Sequence, residues 1–439
     1  MKYMAAEDQM NNRRQTLIKY VVPAMLTNVC YFLFTIVDGL FVGNGVGETA
    51  LGAVNVAIPF TMIVMAIGML TSIGGAVVAA ISIGEGDMDH ANSTFFHSFS
   101  MTVVVAVIVM LTGALLSAPL AGFLGADTAH KALTMEYLFW WSLFALPSLL
   151  SVNLQGFCRN DGAPTYVTIA TIASTLLNVF LDWLFVFPLG MGVKGAAIAT
   201  GLSQTVNMLI VWGHFLTGKA KLRLKWRPIK GSEIAEIVFC GFPEMIAQFA
   251  TPVMTICMNQ MLGRHVGEIG IDAFAIISYV ASFSMAVLFG SAEGLQPIFG
   301  QSYGAKKKGD LQYYLRCGII ICLVGSAICV LLADLFSRPI AVMFGAEGNL
   351  ADEVVRNMPK YSWAFIVAGI NTIISGYLYS TEKTKSAILL NVLRSFVVCT
   401  AVIVGLTMIF KGTIVWFTFG ISEGTIAVIA AYLLKAANK

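Results

Sequence analysis

Twelve stretches of the chain are apolar over a length that crosses a bilayer, and this pattern limits the fold more than any other feature. They run from Tyr20 to Gly43, from Leu51 to Ile83, and over residues 93–118, 136–158, 164–189, 195–216, 236–262, 271–300, 311–334, 361–380, 384–410 and 412–434. Each is near or above the roughly 20 residues that a helix needs to span the hydrocarbon. None alternates in the manner of a membrane β-strand, so the spans read as helices. A soluble α-domain of this size does not fit. Only 12% of the 439 residues are charged, against roughly 25% in soluble chains, and a soluble surface needs more polarity than that. The first run is no signal peptide, because its apolar part is too long and eleven more spans follow. The eight cysteines lie in or beside the runs, frame no external domain, and read as small apolar fillers.

Basic residues orient the spans. With twelve crossings, 19 of the 27 Lys and Arg fall on one side, in the N-terminal tail, the segment GKAKLRLKWRPIKG, the loop GAKKKGD, around Lys383 and Lys385, at the C-terminus, and at Arg159 and Arg316. Seven fall on the other side and Arg394 lies inside a span. The basic side is expected to be the cytoplasm, which makes this a multi-pass membrane protein with both termini inside. The basic cluster Lys219–Lys230 reads as an inside anchor and linker between halves rather than a nucleic-acid site.

The chain also repeats itself. At an offset of 220 residues Pro23 falls on Pro243, GNGVGE (Gly43 to Glu48) on GRHVGE (Gly263 to Glu268), Gly84 on Gly304, Gly125-Ala126 on Gly345-Ala346, and Gly156 on Gly376. One fixed offset held over so long a stretch marks an internal duplication. The expected organisation is an N-terminal six-helix bundle over residues 1–216, a basic cytoplasmic linker over 217–235, and a C-terminal six-helix bundle over 236–439. Six is even, so the two halves are parallel repeats, an arrangement that suits a carrier rocking between two openings. No filter-like run of glycine carbonyls points to a channel.

Isolated carboxylates inside the spans carry the chemistry. Asp38 is the only charge between Tyr20 and Gly47. A charged Asp at mid-membrane costs about 2.5–3.5 kcal/mol on insertion scales, so it must face water or a partner, or be protonated. Tyr31, Thr35 and Asp38 share one face of the first span at i, i+4 and i+7. The fifth span repeats the device, with Ser174, Asn178 and Asp182 four apart and Thr171 near the same line. Two carboxylates backed by neutral oxygens are suited to hold a proton or a small cation. With a sodium ion, Asp38, Asn178 and Asp182 would be its ligands. Alternatively, each Asp only accepts a structural hydrogen bond from a neighbouring helix. In the second half, Glu244 and Glu293, with Gln296 near the latter, are candidates to line a cleft, and Arg394 either pairs with an acid or snorkels. That half shows fewer deep negative charges, so ion coupling is expected in the first. No Walker loop is present, GNGVG lacks a βαβ context, and the five histidines have no metal-ligand spacing. No tightly bound cofactor and no enzyme chemistry are expected.

With these residues in view, the chain resembles the multidrug and toxic compound extrusion transporters of the bacterial branch. The likeness rests on IVDGLFVGNGVGETALGAVNVAIPF, on RNDGAPTY followed by LLNVFLDWLFVFPLGMGVKGAAIATGLSQ, and on GLQPIFGQSYGAKKKGD. It implies an all-α polytopic membrane protein of twelve transmembrane helices in two six-helix bundles around a V-shaped central cleft. It implies antiport, with cationic amphipathic organic compounds (xenobiotics among them) leaving in exchange for inward H+ or Na+ by alternating access. Asp38, Asn178 and Asp182 match the family's ion-coupling positions. A deeper seventh-span glutamate of some members falls near Thr251 here. The expected partners are an organic cation and membrane lipid, with no nucleic acid, and the expected state is a monomer. A flippase for a lipid-linked or polar metabolite is the alternative within the same superfamily.

Overall fold

The computed structural model describes the backbone of residues 2–437, with side chains over 10–436 except at positions 44, 48 and 413. The described chain is helical almost throughout. In order, the helices are α1 (Lys2–Gly45), α2 (Glu48–Glu85), α3 (Met88–Phe123), α4 (Lys131–Leu143), α5 (Ala145–Asn160), α6 (Pro164–Val186) and α7 (Gly192–Leu216). The second series is α8 (Gly231–Ala247), α9 (Ala250–His265), α10 (Glu268–Gly304), α11 (Lys308–Leu335), α12 (Ser337–Met343), α13 (Gly348–Ser362) and α14 (Ala364–Ser380). It ends with α15 (Thr384–Val392), a π-helical turn (Leu393–Val398), α16 (Cys399–Phe410) and α17 (Val415–Ala437).

The 220-residue offset read in the sequence reappears in the helix ends. The starts of α2 and α10, of α6 and α15, and the ends of α5 and α14 are all displaced by that interval. The glycines between the first two spans of each repeat, Gly47 and Gly267, both have positive φ, which glycine adopts without steric cost.

Among the described residues, ten helical segments are long and apolar enough to cross a membrane, and an eleventh is gained if the bent pair α4 and α5 counts as one span. The expected twelve spans therefore appear as ten or eleven. The run at 195–216 does form the 25-residue helix α7, but its Ser203, Gln204, Asn207 and His214 leave it too polar for that class. The α4–α5 bend of 49° has a local cause. Pro147 lacks the N–H that would bond back to residue 143 and its ring clashes with that carbonyl, so the helix breaks at Phe144. Pro252 acts in the same way on the break between α8 and α9.

The chain divides into two compact units, Leu26–Gly241 and Met1–Met25 with Phe242–Lys439. Their borders fall inside α1 and α8, and the segment 217–235 lies within the first unit. In that unit the start of α8 lies directly on α2. A Cβ at Gly241 would land on the Leu70 carbonyl, and one at Gly74 on the Ile237 carbonyl. In the other unit the start of α1 lies on α10, where Gly290 meets Met25 and Gly294 meets Tyr20 and Val21. These contacts correspond under the 220-residue offset, Gly74 to Gly294 and Gly241 to Val21. Small residues here let helix backbones touch, the usual way helices associate in lipid. The core of the first unit gathers Phe95, Leu154, Phe157, Val167, Val211 and Leu222. That of the second stacks Tyr361 on Phe419 at 5.1 Å, with Phe274 against Tyr361 and Trp416.

Candidate functional site

Within the unit Leu26–Gly241, α1, α4, α5, α6 and α7 bring together a connected set of polar side chains. On α6, Thr171, Ser174, Asn178 and Asp182 are buried, as the four-residue spacing requires for one inward face. Ser174 Oγ accepts from the Asn207 amide nitrogen of α7 at 3.0 Å and itself donates to the Thr171 carbonyl. Asn207 Oδ1 accepts from Ser151 Oγ at 3.0 Å and from the Gln155 amide at 3.1 Å, both on α5. The Gln155 amide also reaches the Tyr31 hydroxyl on α1 at 2.9 Å. The chain of hydrogen bonds thus joins the two helices in which the sequence placed its aspartates.

The aspartates lie one to two turns further along. Asp182 is fully buried, and neither carboxylate oxygen makes a well-formed hydrogen bond among the described residues; the Asn178 side chain, one turn back, is a hydrogen-bonding group in reach. Well-formed bonds are likewise lacking at the Asn178 amide, at Thr171 Oγ1 and at one oxygen of Asp38. Asp38 and Asp182 lie within electrostatic reach of each other, and both bear on the phenol of Tyr137 in α4. Buried polar groups are nearly always hydrogen-bonded. A cluster of such atoms, carboxylate oxygens among them, has the donor set for a hard cation or for a proton. Thr35 stands apart: it is exposed, and its hydroxyl donates to the Tyr31 carbonyl at 3.0 Å.

The candidates of the second repeat lie in the other unit. Glu244 Oε1 accepts from the Gln248 amide at 3.0 Å, Tyr379 hydrogen-bonds to it, and Glu293 and Arg394 act on it electrostatically. Gln296 is buried. Arg394 does not snorkel. Its Nε donates to Glu423 Oε1 at 2.9 Å, and its two terminal nitrogens reach Thr372 Oγ1 and the Ala368 carbonyl. The Asn371 amide donates to the other Glu423 oxygen at 2.7 Å. Arg394 sits in the π-helical turn, a local widening that recurs at functional sites. Glu423 is thus a buried acid of the second repeat beyond those expected, and it is neutralised by an arginine.

Sequence reasoning missed Tyr137, Gln155, Ser151, Asn207 and Glu423. Glu423 carried the same signal as Asp38, a lone charge in an apolar run. Gln155 and Asn207 were readable as amides inside apolar runs. Tyr137 was not, because a tyrosine beside two tryptophans suits any membrane helix.

The helix pattern and the internal repeat define a polytopic all-α membrane protein. Comparison with known proteins gives the class a family. The family model described as MatE matches residues 23–184 and 243–404, well over half the chain, as two copies at the same 220-residue displacement. The chain belongs to the MatE family, whose members are transporters and not enzymes. It is similar to the multidrug export protein MepA of Staphylococcus saprophyticus, with 24% identity over 95% of this chain and 92% of the relative. The MepA of Staphylococcus aureus is 23% identical over 96% and 94%. Among solved structures, an outward-facing multidrug resistance MATE family transporter of the MOP superfamily superposes with a TM-score of 0.90 at 20% identity, covering 97% of this chain and 96% of that one. A MOP superfamily transporter from Pyrococcus furiosus gives 0.89 at 20% identity, covering 97% of each.

Proposed function

We propose that the chain is a secondary active antiporter of a bacterial cytoplasmic membrane, exporting cationic amphipathic organic compounds in exchange for inward H+ or Na+. The observation that carries this reading is the group around Asp38, Asn178 and Asp182, where buried carboxylate oxygens lack a well-formed hydrogen bond among the described residues. In this reading a proton or sodium ion is a transported substrate. It enters from the outside, is held by the two carboxylates with Asn178, and weakens binding of the organic cation. The two ligands need only differ in their affinity for the two states. The membrane potential contributes about 2.3 kcal/mol per charge per 100 mV to inward cation movement.

The finer architecture is part of the same proposal. Counting α7 gives twelve crossings, an even number that leaves both termini in the cytoplasm, and the basic segments support that orientation. The V-shaped cleft implied by the family resemblance is supported by the duplication, which supplies two similar walls. The working unit is a monomer that takes an organic cation and sits among membrane lipids. Glu244, Glu293 and Gln296 are candidate cleft residues, and Tyr31 and Thr35 belong to the coupling face of α1.

The test is uptake of a fluorescent organic cation into everted vesicles. Asp38→Asn and Asp182→Asn proteins are expected to insert normally and to lose gradient-driven uptake. Full uptake by both variants overturns the assignment.

A further inference from the structure

Between α7 and α8 the chain runs as a strap without regular structure, and the transport reading gives it no task. Its backbone is tied to the unit beneath. Asp161 Oδ1 accepts from the N–H groups of Lys221 and Leu222, both at 2.8 Å, while its other oxygen lies 2.7 Å from His214 Nε2. Asn92 Oδ1 accepts from the Arg223 N–H at 2.6 Å, and His97 Nε2 from the Lys230 N–H at 3.1 Å. Leu222 is buried in the core beside Phe95 and Phe157, and Leu224 packs against it.

The alternation then points the other side chains outward. Lys219, Lys221, Arg223 and Lys225 are all exposed. The backbone bends at Lys221 and Leu222, and its tied N–H groups hold the four in a bent row along the exposed side. Among the described residues none of them is in an ion pair. The remaining strap cations are engaged, Arg227 by Asp89 and Lys230 by Glu233. Asp161 faces inward to the strap's own N–H groups, and Glu85 is exposed at the end of α2. At the end of the row Trp226 and Ile229 are 78% and 77% exposed. The strap joins two helices read as membrane spans, so its place is the membrane surface. There a tryptophan is at home in the headgroup layer, and each nearby Lys or Arg contributes about 1 kcal/mol of attraction to anionic lipid.

We propose that this strap is a built docking surface for anionic phospholipid headgroups, with Lys219, Lys221, Arg223 and Lys225 on the phosphates and Trp226 and Ile229 seated in the interfacial layer. The hydrogen bonds from Asp161, Asn92 and His97 hold the row before lipid arrives, so little ordering is needed on binding. An ordinary basic loop lacks that preorganisation. The inference rests on the membrane-spanning reading but not on transport.

The test is quenching of Trp226 fluorescence, taken as the difference between the native protein and Trp226→Phe, in vesicles with a minor fraction of brominated lipid. The brominated lipid is either phosphatidylglycerol or phosphatidylcholine. Both leaflets carry it, so the result does not depend on which way the strap faces. Engagement of even one cation is expected to enrich the anionic lipid near Trp226 about five-fold. The preference should fall at high salt and vanish when the four free cations are changed together to Gln. Because these side chains are exposed, the change leaves the fold intact. Equal quenching by both lipids, or a preference that survives the four substitutions, overturns the proposal. The readout uses no transport, so a failure here is distinct from a failure of the antiport reading.

Discussion

Asp182 and Asn178 together present four buried side-chain atoms that lack a well-formed hydrogen bond among the described residues, beyond the loose approach of one side chain to the other. Each such group costs about 1–3 kcal/mol, a burden that a proton or cation at the proposed site would offset. The buried pair of the second repeat is the opposite case. Arg394 and Glu423 satisfy each other, with Asn371, Thr372 and the Ala368 carbonyl completing the set. Removing one member strands a buried charge. Glu423→Leu or Arg394→Met alone is expected to cost about 3–5 kcal/mol, and the double substitution to recover most of it. Thermal unfolding of the purified proteins in one detergent checks this, and additive losses would contradict it. At this scale a charge alone in an apolar run was the readable signal, picked out at Asp38 and Asp182 and passed over at Glu423. The sequence was not legible where the partner is distant: Arg394 and Glu423 are 29 residues apart, and spacing within one helix does not reveal such a pair.

Helices α2 and α10 carry the same device at positions related by the repeat. Gly74 and Gly294 each let the backbone of another span lie against their own. A side chain at Gly241 has nowhere to go, because backbone rather than a flexible side chain meets it. Gly241→Val and Gly294→Val are expected to destabilise the protein by about 1–3 kcal/mol and to lower its yield of monodisperse material on size exclusion. Gly122→Val, with nothing near the added atom, is expected to behave as the native protein. Gly84 and Gly156 mark the repeat in the sequence just as plainly, yet nothing in the sequence says which glycines touch backbone. The breaks at Phe144 and before α9 are local and follow from Pro147 and Pro252. The polar content of α7 is also local. It explains why that run forms a helix without joining the strongly apolar spans.

For the whole molecule, the duplication and the apolar runs made the fold class readable, because the bilayer leaves a helical chain few alternatives. The border between compact units was less readable. It falls inside α1 and α8 rather than at the basic segment, since the first turns of those helices pack within the unit opposite to the rest of their repeat. The basic residues point to an orientation with both termini inside, and a reporter tests it. A fluorescent protein fused after residue 439 is expected to fold and fluoresce, and alkaline phosphatase at the same place to stay inactive. The reverse pattern would place the termini outside.

The account depends most on the exchange of a small cation for the organic one at Asp38 and Asp182. The direct measurement is flux of one lipophilic cation in proteoliposomes, driven by a Na+ gradient and, separately, by a pH gradient. The native protein is expected to accumulate the cation with at least one of the two, and Asp38→Asn and Asp182→Asn with neither. Accumulation at the native rate in both variants, or none in the native protein under either gradient, would contradict it.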